Sequence, residues 1–204
     1  IGKAAKELIG KTAEFTRIER PIQDGLIVDR ALAATDIVII TGGLGPTKDD
    51  IMMLDWMNAN KVPYFIVATA AYMDGYAAGT SSMEVCGVKV TVPAKSPNVI
   101  IGDIDILNGA PTFMAKAGLG DMLAKYVSIC EWRLSNLING EYYCEKVAQF
   151  TRDTLKNCVD NAAGLVAKDE KAMEALFNGL IDCGAAMDYA GCSRPGGGVE
   201  HYFS

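Results

Sequence analysis

The order of strand, glycine-rich loop, helix and strand between residues 36 and 67 constrains this chain more than any other feature. Asp36-Ile37-Val38-Ile39-Ile40 is a short β-branched run of the kind buried on both faces of a sheet. Gly42-Gly43-Leu44-Gly45-Pro46-Thr47-Lys48-Asp49-Asp50 interrupts it, residues 51–60 read as a helix, and Val62-Pro63-Tyr64-Phe65-Ile66-Val67 reads as a second buried strand. Such a unit closes as a right-handed parallel crossover, so the first half is expected to hold a parallel sheet with covering helices. Helix candidates at 2–15 and 25–34 precede it, and strand-like stretches at 87–93 and 98–104 follow.

Beyond Pro111 the pattern changes. Met122, Leu123, Tyr126, Val127, Cys130, Leu134 and Leu137 recur at helical spacing, and β-branched runs disappear. The expected architecture is an α/β domain over residues 1–108 followed by an all-helical domain over 109–204. Half of the 204 residues are hydrophobic, enough for a sizeable core.

Charge and cysteine usage narrow the function classes. With 25 acidic against 19 basic residues the net charge is -6, which disfavours general binding to nucleic acid or anionic membranes. A phosphorylated ligand would need a local basic or amide-rich pocket. The longest near-apolar run, residues 64–73, is half the roughly 20 residues of a membrane-spanning helix. The six cysteines show no metal-ligand spacing and no secretory leader precedes them, so reduced, mostly buried thiols of a cytoplasmic protein are expected. The chain starts at Ile1 in a helix-like stretch and stops in a polar-aromatic motif after a glycine run, so further sequence is expected on both sides.

Four segments could carry chemistry. A glycine loop between strand and helix gathers backbone N–H groups at the positive end of a helix dipole, which suits a phosphate, and Gly42, Gly43, Gly45 and Thr47 are placed for this; an empty glycine turn is the alternative. Thr69-Ala70-Ala71-Tyr72-Met73-Asp74-Gly75-Tyr76 follows the second strand, at the sheet edge where ligands bind in open α/β folds, although Asp-Gly is also a common turn. Gly118-Leu119-Gly120-Asp121-Met122-Leu123-Ala124-Lys125-Tyr126 sets an aspartate in the first turn of an expected helix, and an Asp121–Lys125 pair on a solvated face would explain it without any ligand. His201, the single histidine, follows a flexible run over 195–198 that could bring Glu200 and His201 into a tight divalent-metal site; a structural hydrogen bond is the plainer alternative.

Together and in this order, these segments resemble the glycerol-1-phosphate dehydrogenases of the iron-containing alcohol dehydrogenase and dehydroquinate synthase-like superfamily. The likeness runs from about Lys61 to the end, through the TAAxMDGY-type segment, Gly87-Val88-Lys89-Val90-Thr91-Val92-Pro93-Ala94, Asp103-Ile104-Asp105-Ile106-Leu107, the GDxLAKY-type segment at Gly120 to Tyr126, Glu131-Trp132-Arg133-Leu134, Gly140-Glu141-Tyr142-Tyr143-Cys144 and Ser193-Arg194-Pro195 through Glu200-His201. The resemblance implies a nucleotide-binding α/β domain and a helical domain, with NAD or NADP and a divalent metal, usually Zn2+, in the cleft between them. It implies that Asp121 and His201 bind the metal and that Asp74 and Asp121 lie against the substrate. It also implies that Gly43, Gly45, Thr47, Asp50, Thr69 and Tyr72 contact the cofactor. No protein nucleophile is needed.

The implied activity is reversible, metal-assisted reduction of dihydroxyacetone phosphate to glycerol 1-phosphate by a cytoplasmic enzyme whose product could serve membrane lipid synthesis. A homo-oligomer is allowed. The family places further histidines beyond Ser204, so the 204-residue piece is itself expected to be inactive. Two alternatives stand beside this. One is a dehydrogenase of an unphosphorylated polyol such as glycerol. The other is a non-catalytic pterin- or nucleotide-binding module, since the loop looks like the GGLGPTxDD segment of molybdopterin-binding domains.

Overall fold

A computed structural model describes residues 38–41, 61, 63–85, 88–93 and 95–199, with the backbone alone at 38–41 and 81–93. The expected helices at 2–15, 25–34 and 51–60, the glycine loop at 42–50, Cys86 and His201 lie outside the described residues.

The parallel sheet is present. β1 (Val38–Thr41), β2 (Tyr64–Ala68) and β5 (Val99–Gly102) lie in the order β1-β2-β5, all parallel, with Val38 opposite Tyr64 and Phe65 opposite Val99. The stretch 87–93 does not join it. β4 (Val88–Pro93) pairs antiparallel with β3 (Thr80–Val85), a strand that the pattern reading missed because Thr80-Ser81-Ser82-Met83-Glu84-Val85 is too polar to look like a buried run.

The stretch 98–104 also ends sooner than expected, at Gly102. Asp103 stops the strand by capping a helix: its Oδ1 accepts the N–H groups of Asp105 at 3.0 Å and Ile106 at 3.3 Å, which opens α1 (Ile104–Gly109). Helices make up the rest, as the change of period beyond residue 111 implies. They are α2 (Thr112–Asn139), α3 (Glu145–Asn161), a 3-10 turn at Ala162–Gly164 and α4 (Glu170–Ala190). Gly140 and Gly191 take left-handed φ of 68° and 66° and so end α2 and α4.

One core joins sheet to helices. Ala68 and Ala71 from the edge of β2 share it with Leu107, Met122, Leu155, Leu176, Phe177, Leu180 and Cys183, with Ile66 and Ile100 packed against it. A smaller cluster forms around Trp132, whose indole N–H donates to the Tyr142 carbonyl at 2.6 Å and whose ring meets Tyr143 edge-on at 4.7 Å. Of the cysteines described, only Cys158 and Cys183 are buried; Cys130 is exposed and Cys144 and Cys192 are partly so, which corrects the expectation of mostly buried thiols.

Two helical glycines decide how closely the segment after β2 can be gripped. A methyl group at Gly118 of α2 would stand 2.4 Å from the Ala71 carbonyl oxygen, and one at Gly184 of α4 would stand 2.7 Å from the Asp74 carbonyl oxygen. Both helices therefore press their backbones against residues 71–74. A glycine costs a helix about 1 kcal/mol relative to alanine, which this contact offsets. Gly120, in the same helix as Gly118, has open space around it. Gly118→Ala should thus destabilise the protein by about 2 kcal/mol through overpacking, while Gly120→Ala should stabilise it by about 0.5–1 kcal/mol. Chemical denaturation of the two variants checks the opposite signs.

Candidate functional site

The segment held by these glycines lies just past the C-terminal end of β2, where strand backbones end and a ligand can approach. Its shape is set from within by Tyr76, whose hydroxyl donates a short hydrogen bond to the Ala70 carbonyl. Tyr76 also packs edge-on against Tyr72 at 6.5 Å and Phe177 at 5.8 Å. Burial, with Tyr72 nearby, holds its phenol well above the ordinary value, so it serves as a neutral rivet. Thr69 and Tyr72, both partly buried, also lie in this segment.

Asp74 and Asp121, 47 residues apart, meet. The Asp74 backbone N–H donates to Asp121 Oδ2 at 2.8 Å. Between the two carboxylates lies the Lys125 ammonium, 2.7 Å from Asp74 Oδ2 and 3.0 Å from Asp121 Oδ1. Lys125 is fully buried, while each carboxylate side chain is 16% exposed. Burial alone would lower the lysine pKa; the charges of Asp74 and Asp121 outweigh it and hold the ammonium protonated above its ordinary value. Below them, burial pushes the Cys183 thiol up, so it remains neutral, with its sulfur 3.7 Å from that of Met122.

This overturns the plain account of Asp121. The residue lies well inside α2 and not in its first turn, and the i,i+4 partner Lys125 faces the core. The sequence does carry the missing signal: Gly118, Met122, Lys125, Ile129 and Trp132 recur at helical spacing and are all buried. A lysine within such a stripe has to bring anions with it, because an unpaired buried charge is too costly.

The glycine-rich run is tied down where flexibility was expected. Arg194 Nε and Nη2 donate to the two oxygens of Glu141, each at 2.7 Å, and Ser135 donates to the same carboxylate at 2.5 Å. Pro195 is fully buried, with its carbonyl 3.2 Å from the Ser128 hydroxyl. The Val199 N–H donates to Glu131 at 2.8 Å. A methyl group at Gly196 would fall 2.2 Å from the Met187 sulfur, so a larger residue here would make the Met187 side chain shift. The run is a strap laid along α2. None of Ser128, Glu131, Glu141 and Arg194 was singled out from sequence as functional, since each is an ordinary surface-type residue until the strap folds back.

What could the cluster hold? Among the described residues no group of three or more His, Cys, Asp or Glu could ligate a metal ion. Two carboxylates already gathered around one buried cation nevertheless suit a divalent ion as a partial donor set, one that needs ligands from elsewhere. Gly43, Gly45, Thr47, Asp50 and His201, the other expected contacts, lie outside the described residues.

The Arg194–Glu141 pair gives a pH test of the strap. Hydrogen bonds from Arg194 and Ser135 hold the Glu141 carboxyl below its ordinary 4.5. Its contribution is therefore complete above pH 4.5 and is lost as the pH falls through the lowered folded value. Limited proteolysis at residues 196–198 should speed up on acidification below that point, and Arg194→Gln should give the same acceleration at neutral pH.

Residues 22–111 match the family model described as iron-containing alcohol dehydrogenase. A glycerol-1-phosphate dehydrogenase [NAD(P)+] of Geobacillus thermodenitrificans is 38% identical over 144 residues, 71% of this chain and 36% of that protein. Those of Methanothrix thermoacetophila and Thermococcus sibiricus are each 34% identical, over 93% and 98% of this chain and 53% and 55% of their own length. Among solved structures, glycerol dehydrogenase from Schizosaccharomyces pombe has a TM-score of 0.67 at 19% identity, covering 91% of this chain and 49% of that one. A probable glycerol dehydrogenase from Sinorhizobium meliloti has a TM-score of 0.63 at 21% identity, covering 82% and 50%; at such identities the likeness concerns the fold. The chain spans about a third to a half of the length of these curated relatives. By these likenesses the chain is similar, over part of their length, to the iron-containing alcohol dehydrogenase family and to the glycerol-1-phosphate dehydrogenases.

Proposed function

We propose that this chain is part of an NAD(P)-dependent sn-glycerol-1-phosphate dehydrogenase. The observation that carries the reading is the meeting of Asp74, past the end of β2, with Asp121 of α2, at the sheet edge where ligands bind in open α/β folds. The relatives' names supply the substrate and cofactor. Residues 1–108 are assigned to dinucleotide binding and 109–204 to metal and substrate.

In this reading Gly43, Gly45, Thr47 and Asp50 cradle the cofactor phosphates, and Thr69 and Tyr72 border the nicotinamide. Asp121 and His201, with a further ligand, would hold a divalent metal, for which zinc is our choice. When bound, that metal would supply Lewis-acid polarisation of the substrate C2 oxygen. Asp74 orients a substrate hydroxyl, and the core behind the segment excludes water. The balance is dihydroxyacetone phosphate plus NAD(P)H plus a proton giving glycerol 1-phosphate plus NAD(P)+, with the hydride passing between nicotinamide C4 and substrate C2. We place the enzyme in the cytoplasm, where its product can feed phospholipid synthesis.

The full-length protein should oxidise NADH or NADPH when given dihydroxyacetone phosphate and should ignore glycerol. Asp121→Asn should lower kcat/KM at least about a hundredfold, and Asp74→Asn should act mainly on KM. Turnover of glycerol without turnover of the phosphate would overturn the choice of substrate.

A further inference from the structure

Lys125 has no part in the reaction just described, yet it is the most deeply enclosed charge of the site. Its ammonium contacts both Asp74 Oδ2 and Asp121 Oδ1, and the Asp74 backbone N–H donates to Asp121 Oδ2. It rises from the buried face of α2 between Met122 and Ile129 and is itself fully buried. Two carboxylates brought within reach of one point repel each other strongly in a partly buried site, and only a cation between them keeps them there.

We infer that Lys125 is a positioning residue, a built-in counter-ion that clamps Asp74 to Asp121 and keeps the site assembled when no metal is bound. The cation already present reduces the negative charge open to an incoming divalent ion. Lys125 therefore makes the metal-free site stable and metal binding weaker and more readily exchanged. The part concerning metal rests on the function proposed above; the clamp itself does not.

The test uses the full-length protein, stripped of metal, and Co2+ alone as the probe, followed by calorimetry and visible absorption. Lys125→Met keeps most of the length of the side chain, one heavy atom shorter, and removes its charge. It should lower the metal-free Tm by about 5 °C or more, yet bind Co2+ at least about tenfold more tightly than the wild type. Co2+ should also raise its Tm by more than it raises that of the wild type. A side chain acting only by packing would weaken both properties. Adding Asp74→Asn to Lys125→Met removes the repulsion and should restore most of the lost Tm. If Lys125→Met alone yields no folded protein, recovery of folded protein in the double variant supports the clamp equally.

Co2+ binding to Lys125→Met that is no tighter than to the wild type overturns the effect on metal. A double variant as unstable as the single one overturns the clamp. If no protein binds Co2+ while Asp74→Asn still restores stability, the proposed metal function falls and the clamp stands.

Discussion

The ion cluster of Lys125 with Asp74 and Asp121 sets the terms for everything around it. A fully buried ammonium needs paired anions, and the two carboxylates come from different elements, one after β2 and one on α2. At an effective dielectric of about 20, two like charges about 4 Å apart repel by about 4 kcal/mol. Without the ammonium, the same residues would push sheet edge and helix apart. The cluster therefore joins the two layers electrostatically just past the C-terminal end of β2.

Close packing makes that join possible. Gly118 and Gly184 let α2 and α4 reach the backbone of residues 71–74, and Gly102 lets Phe177 of α4 lie on β5, where a methyl group would stand 2.0 Å from its ring. Tyr76 holds the gripped segment in shape by bonding back to Ala70. The strap over residues 193–199 uses the same means, a glycine against Met187 together with carboxylates on or just after α2 that take the Val199 N–H and the Arg194 guanidinium. A segment rich in glycine is thereby tied to α2 and to Met187, with Gly196 in close contact with the Met187 side chain.

Local pattern was a good guide to elements and a poor one to their relations. The parallel strands and the helices beyond residue 111 were legible because buried β-branched runs and helical periodicity survive without knowledge of neighbours. β3 was not, since its alternating polar residues acquire meaning only from the pairing with β4. The strand over 98–104 was drawn too long because the capping role of Asp103 competes with the β-branched run before it. Leu134 and Leu137 kept the helical period and yet are 53% and 73% exposed, so period alone did not identify the buried face.

The sequence by itself determined the sheet-then-helix order, the family likeness and the identity of Asp74 and Asp121 as residues of interest. It also placed Lys125 one turn from Asp121, since i,i+4 neighbours on a helix meet whatever surrounds them. Only the tertiary structure decided that this pair faces inward and that Asp74, 47 residues upstream, completes it. The reason is physical: the charge state and worth of an ion pair depend on its burial and on partners from distant segments, and neither is written in local spacing.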